Sequence, residues 1–190
     1  MFICFEGVAG SGKTTQTQLL SDFLQKQKKR TMFTSSAYEA ERRDQAARFM
    51  REQGINDDQN AIMFFFQALH AAHFSEVSDA LDTYDDVITD RWRESFYAHH
   101  VTQNTFNGDT ALLEKLDKLA YRSLEPSLTF LLDAPADVVH ARYVEREKEI
   151  DDGGLPLMDS DYFEDVIDYY RNAGEKKGWH EEKRGQEHFS

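Results

Sequence analysis

A glycine-rich segment near the start of the chain constrains the fold more than any other feature of the sequence. It runs Gly7-Val8-Ala9-Gly10-Ser11-Gly12-Lys13-Thr14 and matches the pattern Gly-x-x-x-x-Gly-Lys-[Ser/Thr] in full. The apolar run at 2–6 is typical of a buried strand, and apolar residues recur at helical spacing from 19 to 24. A strand, a glycine loop and a helix in this order predict a phosphate-binding loop.

The chemistry expected of this loop is the binding of ATP with magnesium. Glycines allow successive backbone N–H groups to point at phosphate oxygens, and the N-terminus of the following helix adds partial positive charge. We expect Lys13 to contact the transferred phosphate and the Thr14 hydroxyl to bind Mg²⁺. The residues expected to bind ATP are Gly7, Val8, Ala9, Gly10, Ser11, Gly12, Lys13, Thr14 and Thr15.

Strands and helices alternate along the rest of the chain. Further short strands are predicted at 31–34, 86–89 and 128–132, with helical patterns between and after them. The alternation predicts an α/β protein with a three-layer P-loop NTPase fold, in which a central parallel sheet of about four to five strands has helices on both faces. Residues 174–190 contain no Val, Ile, Leu or Met, so no strand is predicted there and these residues are expected to be mobile or loosely docked.

Charge and cysteine content argue against several classes of protein. The chain has 190 residues, a formal net charge of −13 and a single cysteine, Cys4. A broad nucleic-acid-binding face needs clustered basic residues, and an acidic chain of this kind does not favour one. One cysteine forms no internal disulfide and no multi-cysteine zinc site, which is typical of a reducing compartment. Since the sequence also shows no signal-peptide pattern and no transmembrane run, we predict a cytoplasmic protein that binds neither nucleic acid nor membrane.

Several motifs, taken in order, resemble those of thymidylate kinases. The first is the opening at 2–16, with its Phe-Glu-Gly entry and Thr-Thr-Gln exit, and the second is the segment 87–91 ending in Asp-Arg, followed by Trp92 and Ser95. The segment 128–135, with Arg142 after it, is similar to the family's fourth strand and the helix leading into its lid, and Asp161-Tyr-Phe-Glu164 is similar to the family's Asp-Arg-Phe-Glu. The resemblance spans about residues 1–171. It implies transfer of a phosphoryl group from ATP to a deoxynucleoside monophosphate, with dTMP as the leading acceptor.

The resemblance and the charge of the reactants assign further candidate residues. Two polyanions must meet and the moving phosphoryl group must be stabilised by cations, so Arg91 is expected to contact the acceptor phosphate. The catalytic candidates are Lys13, Asp90, Arg91, Arg142 and Arg146, and the magnesium candidates are Thr14 and Asp90. The candidates for acceptor binding are Phe66, His70, Arg91, Ser95, Phe96 and His99. A strand-end ion pair for Asp90 and Arg91, and ordinary core packing for Phe66, are the structural alternatives.

The family's organisation is also expected to carry over. It implies a nucleotide kinase domain over 1–173, with a lid at about 143–160, then a charged tail over 174–190. Family members are commonly homodimers through helices that flank the sheet, and the apolar run 62–66 is a candidate for that interface.

Some positions depart from the family's pattern. Ala9 replaces a usual acidic residue, His70 replaces a base-reading arginine, and Phe96 and His99 replace the residues expected after Asp-Arg. The arginine usual after the second strand is absent, with Arg42 or Arg43 as substitutes. A nucleoside kinase and a nucleotide-binding module without catalysis are therefore the alternative functions.

Overall fold

The computed structural model describes residues 1–36, 40–55, 58–149 and 158–183. These residues contain five strands: β1 (Phe2–Glu6), β2 (Thr31–Ser35), β3 (Asp86–Asp90), β4 (Leu128–Asp133) and β5 (His180–Lys183). The helices are α1 (Lys13–Lys26), α2 (Ala40–Gln53), α3 (Gln59–Thr83), α4 (Arg93–Thr102), α5 (Thr110–Tyr121), α6 (Ala136–Glu149) and α7 (Ser160–Lys177), with a 3₁₀ turn at Thr105–Gly108.

The strands form one sheet in the order β2-β3-β1-β4-β5, and every pairing is parallel. β1 lies at the centre, with Phe5 opposite Asp90 of β3 and Glu6 opposite Leu131 of β4. The carboxyl ends of β1 and β3 therefore meet at one edge of the sheet, where open parallel sheets bind ligands. The predicted α/β class, parallel sheet and strand number are confirmed.

Alternating residues of β1 pack against helices on opposite faces of the sheet. Ile3 and Phe5 share a cluster with Leu20 and Leu24 of α1, so α1 covers one face. Phe2 and Cys4 instead pack with residues of α3 and α5, among them Val77 of α3. Because β1 is buried on both faces, all of its residues are less than a tenth exposed, including the carboxylate-bearing Glu6.

A second part of the core lies between β4 and the helices α4, α6 and α7. Leu131 of β4 packs there with Val139 and Tyr143 of α6 and with Phe163 and Tyr170 of α7. Val8 of the glycine loop belongs to the same cluster. The loop, the helix that precedes the predicted lid and the helix that follows it therefore share one packed region.

The prediction that no strand follows residue 174 is wrong. α7 continues to Lys177, and β5 then pairs with β4, with Phe130 opposite His180 and Asp133 opposite Lys183. An edge strand is held by backbone hydrogen bonds to its neighbour, so it forms here without aliphatic side chains of its own. Gly178, with φ of 67°, ends α7 and allows the chain to turn into β5.

The predicted strands at 31–34, 86–89 and 128–132 agree with β2, β3 and β4 to within one residue. The last helix, predicted to end at Arg171, instead continues six residues further to Lys177. Residues 150–157, at the centre of the predicted lid, lie outside the described residues, so the lid stays a prediction. Among the described helices, none combines the length and the apolar character that a membrane crossing requires.

Candidate active site

The glycine loop between β1 and α1 has a backbone shape that side chains would obstruct. Gly7 has φ of 139°, and a Cβ atom there would lie 2.6 Å from the carbonyl oxygen of Leu132. Gly10 has φ of 83°, and its Cβ would lie 2.8 Å from the carbonyl oxygen of Val139. Both positions combine a left-handed backbone with a close backbone neighbour, so both require glycine.

The first turn of α1 leaves its backbone amides available to an anion. No side chain caps this helix, and its first turn contains no acidic residue. Uncapped N–H groups and the positive end of the helix dipole favour a bound phosphate. The structure therefore has the local geometry that the sequence pattern predicted for the loop.

Lys13 lies inside this loop and is only 5% exposed. Its Nζ atom donates a hydrogen bond to the carbonyl oxygen of Val8 at 2.8 Å. Burial, followed by the positive charge of Arg91, lowers the pKa of Lys13 to about 7. The ammonium group thus lies in a site whose electrostatics favour the arrival of negative charge.

The two predicted magnesium ligands are in contact. The Thr14 hydroxyl donates to Asp90 Oδ2 at 2.7 Å. Asp90 is 1% exposed, and its Oδ1 atom accepts no hydrogen bond from the described residues. A buried carboxylate oxygen without a hydrogen-bond donor lowers the stability of the fold unless a further donor or a cation reaches it. The pair therefore fits a hard cation such as Mg²⁺, which takes oxygen ligands.

Arg91 follows β3 directly and points into the same region. It is 4% exposed and has φ of 72°, an unusual value for a residue with a side chain. Its Nη1 atom donates to Ser95 Oγ at 3.0 Å and to the Tyr170 hydroxyl at 3.2 Å. Burial opposes the charged form, but Tyr170, Asp90 and Glu6 together raise the pKa of Arg91. The guanidinium therefore stays charged although it is buried.

Glu6, the last residue of β1, holds the start of α4 in place. Its Oε1 accepts from the Trp92 backbone N–H at 2.9 Å, and its Oε2 accepts from Ser95 Oγ at 2.8 Å. Burial raises the pKa of Glu6, while Arg91 and these hydrogen bonds act in the opposite direction. Both carboxylate oxygens are thus occupied by donors from the segment that carries Arg91.

The two candidate lid arginines lie on α6, beside the loop. Arg142 Nη1 donates to the carbonyl oxygen of Gly10 at 3.1 Å. The guanidinium carbon of Arg146 lies 5.6 Å from the centre of the Tyr143 ring, and its charge contributes to the lowered pKa of Lys13. Both side chains therefore lie on the loop side of α6, as a contact with the nucleotide requires.

Comparison with known proteins identifies the family. The family model described as Thymidylate kinase matches residues 5–187. The chain belongs to the thymidylate kinase family. A thymidylate kinase from Desulfovibrio desulfuricans is 33% identical over 178 residues, covering 91% of this chain and 78% of that protein. One from Ehrlichia ruminantium (strain Gardel) is 30% identical over 185 residues, covering 90% of this chain and 81% of that protein. The resemblance found in the sequence is confirmed.

A solved structure gives the same result for the fold. The crystal structure of thymidylate kinase from Ehrlichia chaffeensis superposes with a TM-score of 0.68. The match covers 97% of this chain and 91% of that one, at 23% sequence identity. The thymidylate kinase fold therefore extends over nearly the whole chain.

Apart from Arg91, the predicted acceptor-binding residues of this thymidylate kinase family member fall into two groups. His70 and Phe96 are fully buried and pack against each other edge to face, and Phe66 packs with Ala46 and Met50 between α2 and α3. A ligand does not reach these side chains as they are placed here, so their role in acceptor binding stays a prediction. Arg42 and Arg43 lie on α2, and their side chains are outside the described set.

Ser95 and His99, on α4, form the second group. Ser95 is fully buried and contacts Arg91, Glu6 and Tyr170 rather than open space. His99 Nδ1 is hydrogen-bonded to the Tyr162 hydroxyl of α7. Tyr162 also contributes to the raised pKa of Arg91, which places the pair of His99 and Tyr162 near that arginine.

Sequence reasoning missed Glu6 and Tyr170 as members of the site. Glu6 had a signal, since a carboxylate at the end of an otherwise apolar strand is costly to bury without a partner. Tyr170 had none, because an aromatic residue on the apolar side of a helix is usually ordinary core. Only the fold brings its hydroxyl to Arg91.

Proposed function

We propose that this chain transfers the γ-phosphoryl group of ATP to dTMP and so forms dTDP. The observation that carries this proposal is the pair of buried cations, Lys13 and Arg91, at the carboxyl ends of adjacent strands. The charge of Arg91 lowers the pKa of Lys13, so each cation lies within the field of the other. Asp90 and Glu6 offset part of this repulsion. Phosphate groups between the two cations would offset the rest, which is the arrangement that two phosphorylated substrates require.

The residues of the chain divide between the two substrates. The loop amides and Lys13 would bind the β- and γ-phosphates of ATP, and Arg91 would hold the phosphate of dTMP in line with them. As the transferred group passes between the substrates, both cations would face its developing negative charge. The side chains of Arg142 and Arg146 would turn from Gly10 and Tyr143 towards the nucleotide.

Thr14 and Asp90 are the residues proposed to hold magnesium. Bound there with ATP, Mg²⁺ would neutralise phosphate charge and orient the γ-phosphate. Within the described residues, no group of three or more His, Cys, Asp or Glu side chains forms a metal site. The proposed ion therefore depends on phosphate oxygens and water for its remaining ligands, as is usual for Mg²⁺ in kinases.

The alternative of a neutral nucleoside as acceptor is disfavoured by Arg91. A nucleoside would leave a buried guanidinium facing an uncharged hydroxyl, at the cost of an uncompensated charge. A monophosphate instead supplies an anion to the Arg91 donors that the described side chains leave unused. A module without catalysis is disfavoured as well, since Lys13, Thr14, Asp90 and Arg91 are all present and positioned.

The experiment is an ADP-release assay with ATP and Mg²⁺ over a panel of deoxynucleoside monophosphates and nucleosides. We expect turnover with dTMP above the other monophosphates and none with nucleosides. Lys13→Ala is expected to lower kcat by at least about a hundredfold, because it removes a cation that acts on the transferred phosphate. Lys26→Ala, at the exposed end of α1, is the control. Turnover with thymidine but not dTMP would overturn the proposal.

We also propose that the protein forms a homodimer through α2 and α3. Phe49 and Phe64 on these helices are about half exposed, at 47% and 58%. A groove of about 370 Å³ between the helices is lined mainly by apolar side chains, including Phe65 and Leu69. Sedimentation equilibrium should give twice the chain mass, and Phe64→Asp should shift it towards the monomer. A monomeric wild-type protein would exclude the dimer.

The cytoplasmic location stays a prediction from the sequence.

A further inference from the structure

The acceptor arginine is held by neutral hydroxyl groups rather than by a carboxylate. Its two described hydrogen bonds both start from Nη1 and end on Ser95 Oγ and the Tyr170 hydroxyl. Within the part of the chain that the structure describes, Nε and Nη2 of Arg91 donate to no group. An arginine has five N–H donors in a planar fork. Nη1 is thus held by the protein, and the N–H groups of Nε and Nη2 are available to a ligand.

With Glu6 as the carboxylate, the protons of this cluster have one consistent assignment. Glu6 accepts from both of its neighbours, so the single Ser95 proton is donated to Glu6 Oε2. Ser95 and Tyr170 lie 2.9 Å apart at their oxygens. Since the Ser95 proton is already used, the Tyr170 hydroxyl must donate to Ser95 Oγ. Ser95 Oγ then accepts from Arg91 and Tyr170 and donates to Glu6.

This arrangement joins three separate elements at the arginine. Glu6 ends β1, Ser95 lies in the first turns of α4, and Tyr170 lies on α7, which begins at Ser160, after the predicted lid. Tyr170 and Ser95 are both at most 2% exposed, so water does not compete for their hydroxyl groups. Hydrogen bonds to a charged group in such surroundings are stronger than neutral ones.

We propose that Tyr170, acting with Ser95 and Glu6, is a positioning residue that orients Arg91 for the acceptor phosphate. This inference rests on the proposed function, since it concerns how the phosphate of dTMP is bound. Tyr170 does not contact the substrate itself. Its hydroxyl accepts a hydrogen bond from Nη1 of Arg91, so that Nε and Nη2 face the phosphate. Because Tyr170 lies on α7, the orientation of Arg91 depends on the position of that helix. Loss of the hydroxyl would leave Arg91 charged and buried but free to adopt other rotamers.

The test compares two neighbouring tyrosines under the same substitution. Tyr170→Phe removes only the hydroxyl and keeps the ring in the core. Tyr169→Phe is the matched control, because its hydroxyl donates to Glu94 at 3.0 Å and not to the arginine cluster. Steady-state rates would be measured with dTMP varied at saturating ATP, and with ATP varied at saturating dTMP. Thermal unfolding of each variant would report whether it is folded.

For Tyr170→Phe we expect KM for dTMP to rise about tenfold, as for loss of a hydrogen bond to a charged group, with KM for ATP changed by less than about twofold. Tyr169→Phe should change neither constant. In an Arg91→Ala background, Tyr170→Phe should cause no further rise, because the group that it positions is gone. Equal effects on both substrates, equal effects of both tyrosines, or an undiminished effect in the Arg91→Ala background would overturn the inference.

The wild-type assay keeps this inference separate from the proposed function. If the wild-type protein phosphorylates a different monophosphate, the same variants are assayed with that acceptor. The inference then requires that Tyr170→Phe raise KM for that acceptor and leave KM for ATP nearly unchanged. If the wild-type protein turns over dTMP and the variants match it, the proposed function stands and the positioning role is wrong.

Discussion

Lys13 is the residue whose chemical state changes most between the free protein and the proposed complex. In the free protein it is buried beside Arg91, and its pKa falls to about 7. A triphosphate against the ammonium would favour the charged form strongly and raise that pKa again. Near pH 8 the free lysine is mostly neutral, whereas in the complex it would be charged. Nucleotide binding at that pH must therefore be accompanied by uptake of a proton from the solvent by Lys13.

We predict that ATP binding takes up a proton at pH 8 and takes up much less at pH 6, where Lys13 is already charged. Calorimetric titrations in two buffers of different ionisation enthalpy measure the number of protons directly. We expect roughly 0.5 to 1 proton at pH 8 in the wild-type protein, from the lowered pKa of one group. Lys13→Met should bind weakly and without this uptake. The same uptake in both proteins would assign the proton to another group.

Among the elements, β5 shows how far a prediction from the sequence can reach. The loop, β1 and the Asp90–Arg91 pair could be placed beforehand, because a specific motif and the parallel direction of the strands fix where their ends meet. β5 could not, since the partner of an edge strand is the backbone of β4 and not a pattern of apolar side chains. Tyr170 could not either, because its contact with Arg91 joins residues 79 positions apart.

We predict that β5 protects the edge of β4. A chain ending after Trp179 should be less stable than the full chain by on the order of 2 kcal/mol, because it keeps Trp179 against the core but loses a few backbone hydrogen bonds of about 1 kcal/mol each. It should also associate at the exposed edge. Urea unfolding and light scattering measure the two effects. A chain ending after Lys183 keeps β5 and is the control, so equal losses in both shortened chains would contradict the prediction.

For the whole molecule, buried histidines set the response to acid. Burial lowers the pKa of His70 to about 3 and that of His100 to about 4. An unfolded chain binds these protons near pH 6.5, whereas the folded chain does not bind them until much lower pH. Between these limits the unfolded state holds more protons, so the free energy of unfolding falls as the pH falls below about 6.5.

His70→Gln should therefore make stability less sensitive to pH. Between pH 7 and pH 5 the wild-type protein should lose about 2 kcal/mol through His70 alone, and the variant should not lose that amount. Urea unfolding at the two pH values measures this difference. His180→Gln, at an exposed position of β5, should behave as the wild type does. Equal pH dependence in all three proteins would show that His70 does not contribute.

The central position of β1 has a consequence for how the molecule is made. β1 leaves the ribosome before the other strands of this sheet, yet its neighbours are β3, where Phe2 pairs with Val87, and β4, where Ile3 pairs with Leu128. Until those residues have been translated, the apolar strand and its loop have no partner in the sheet. Pairings between strands that are far apart in the sequence form slowly, and strands that are still unpaired are prone to aggregate. The nascent chain should thus depend on chaperones during this interval, before any nucleotide can bind.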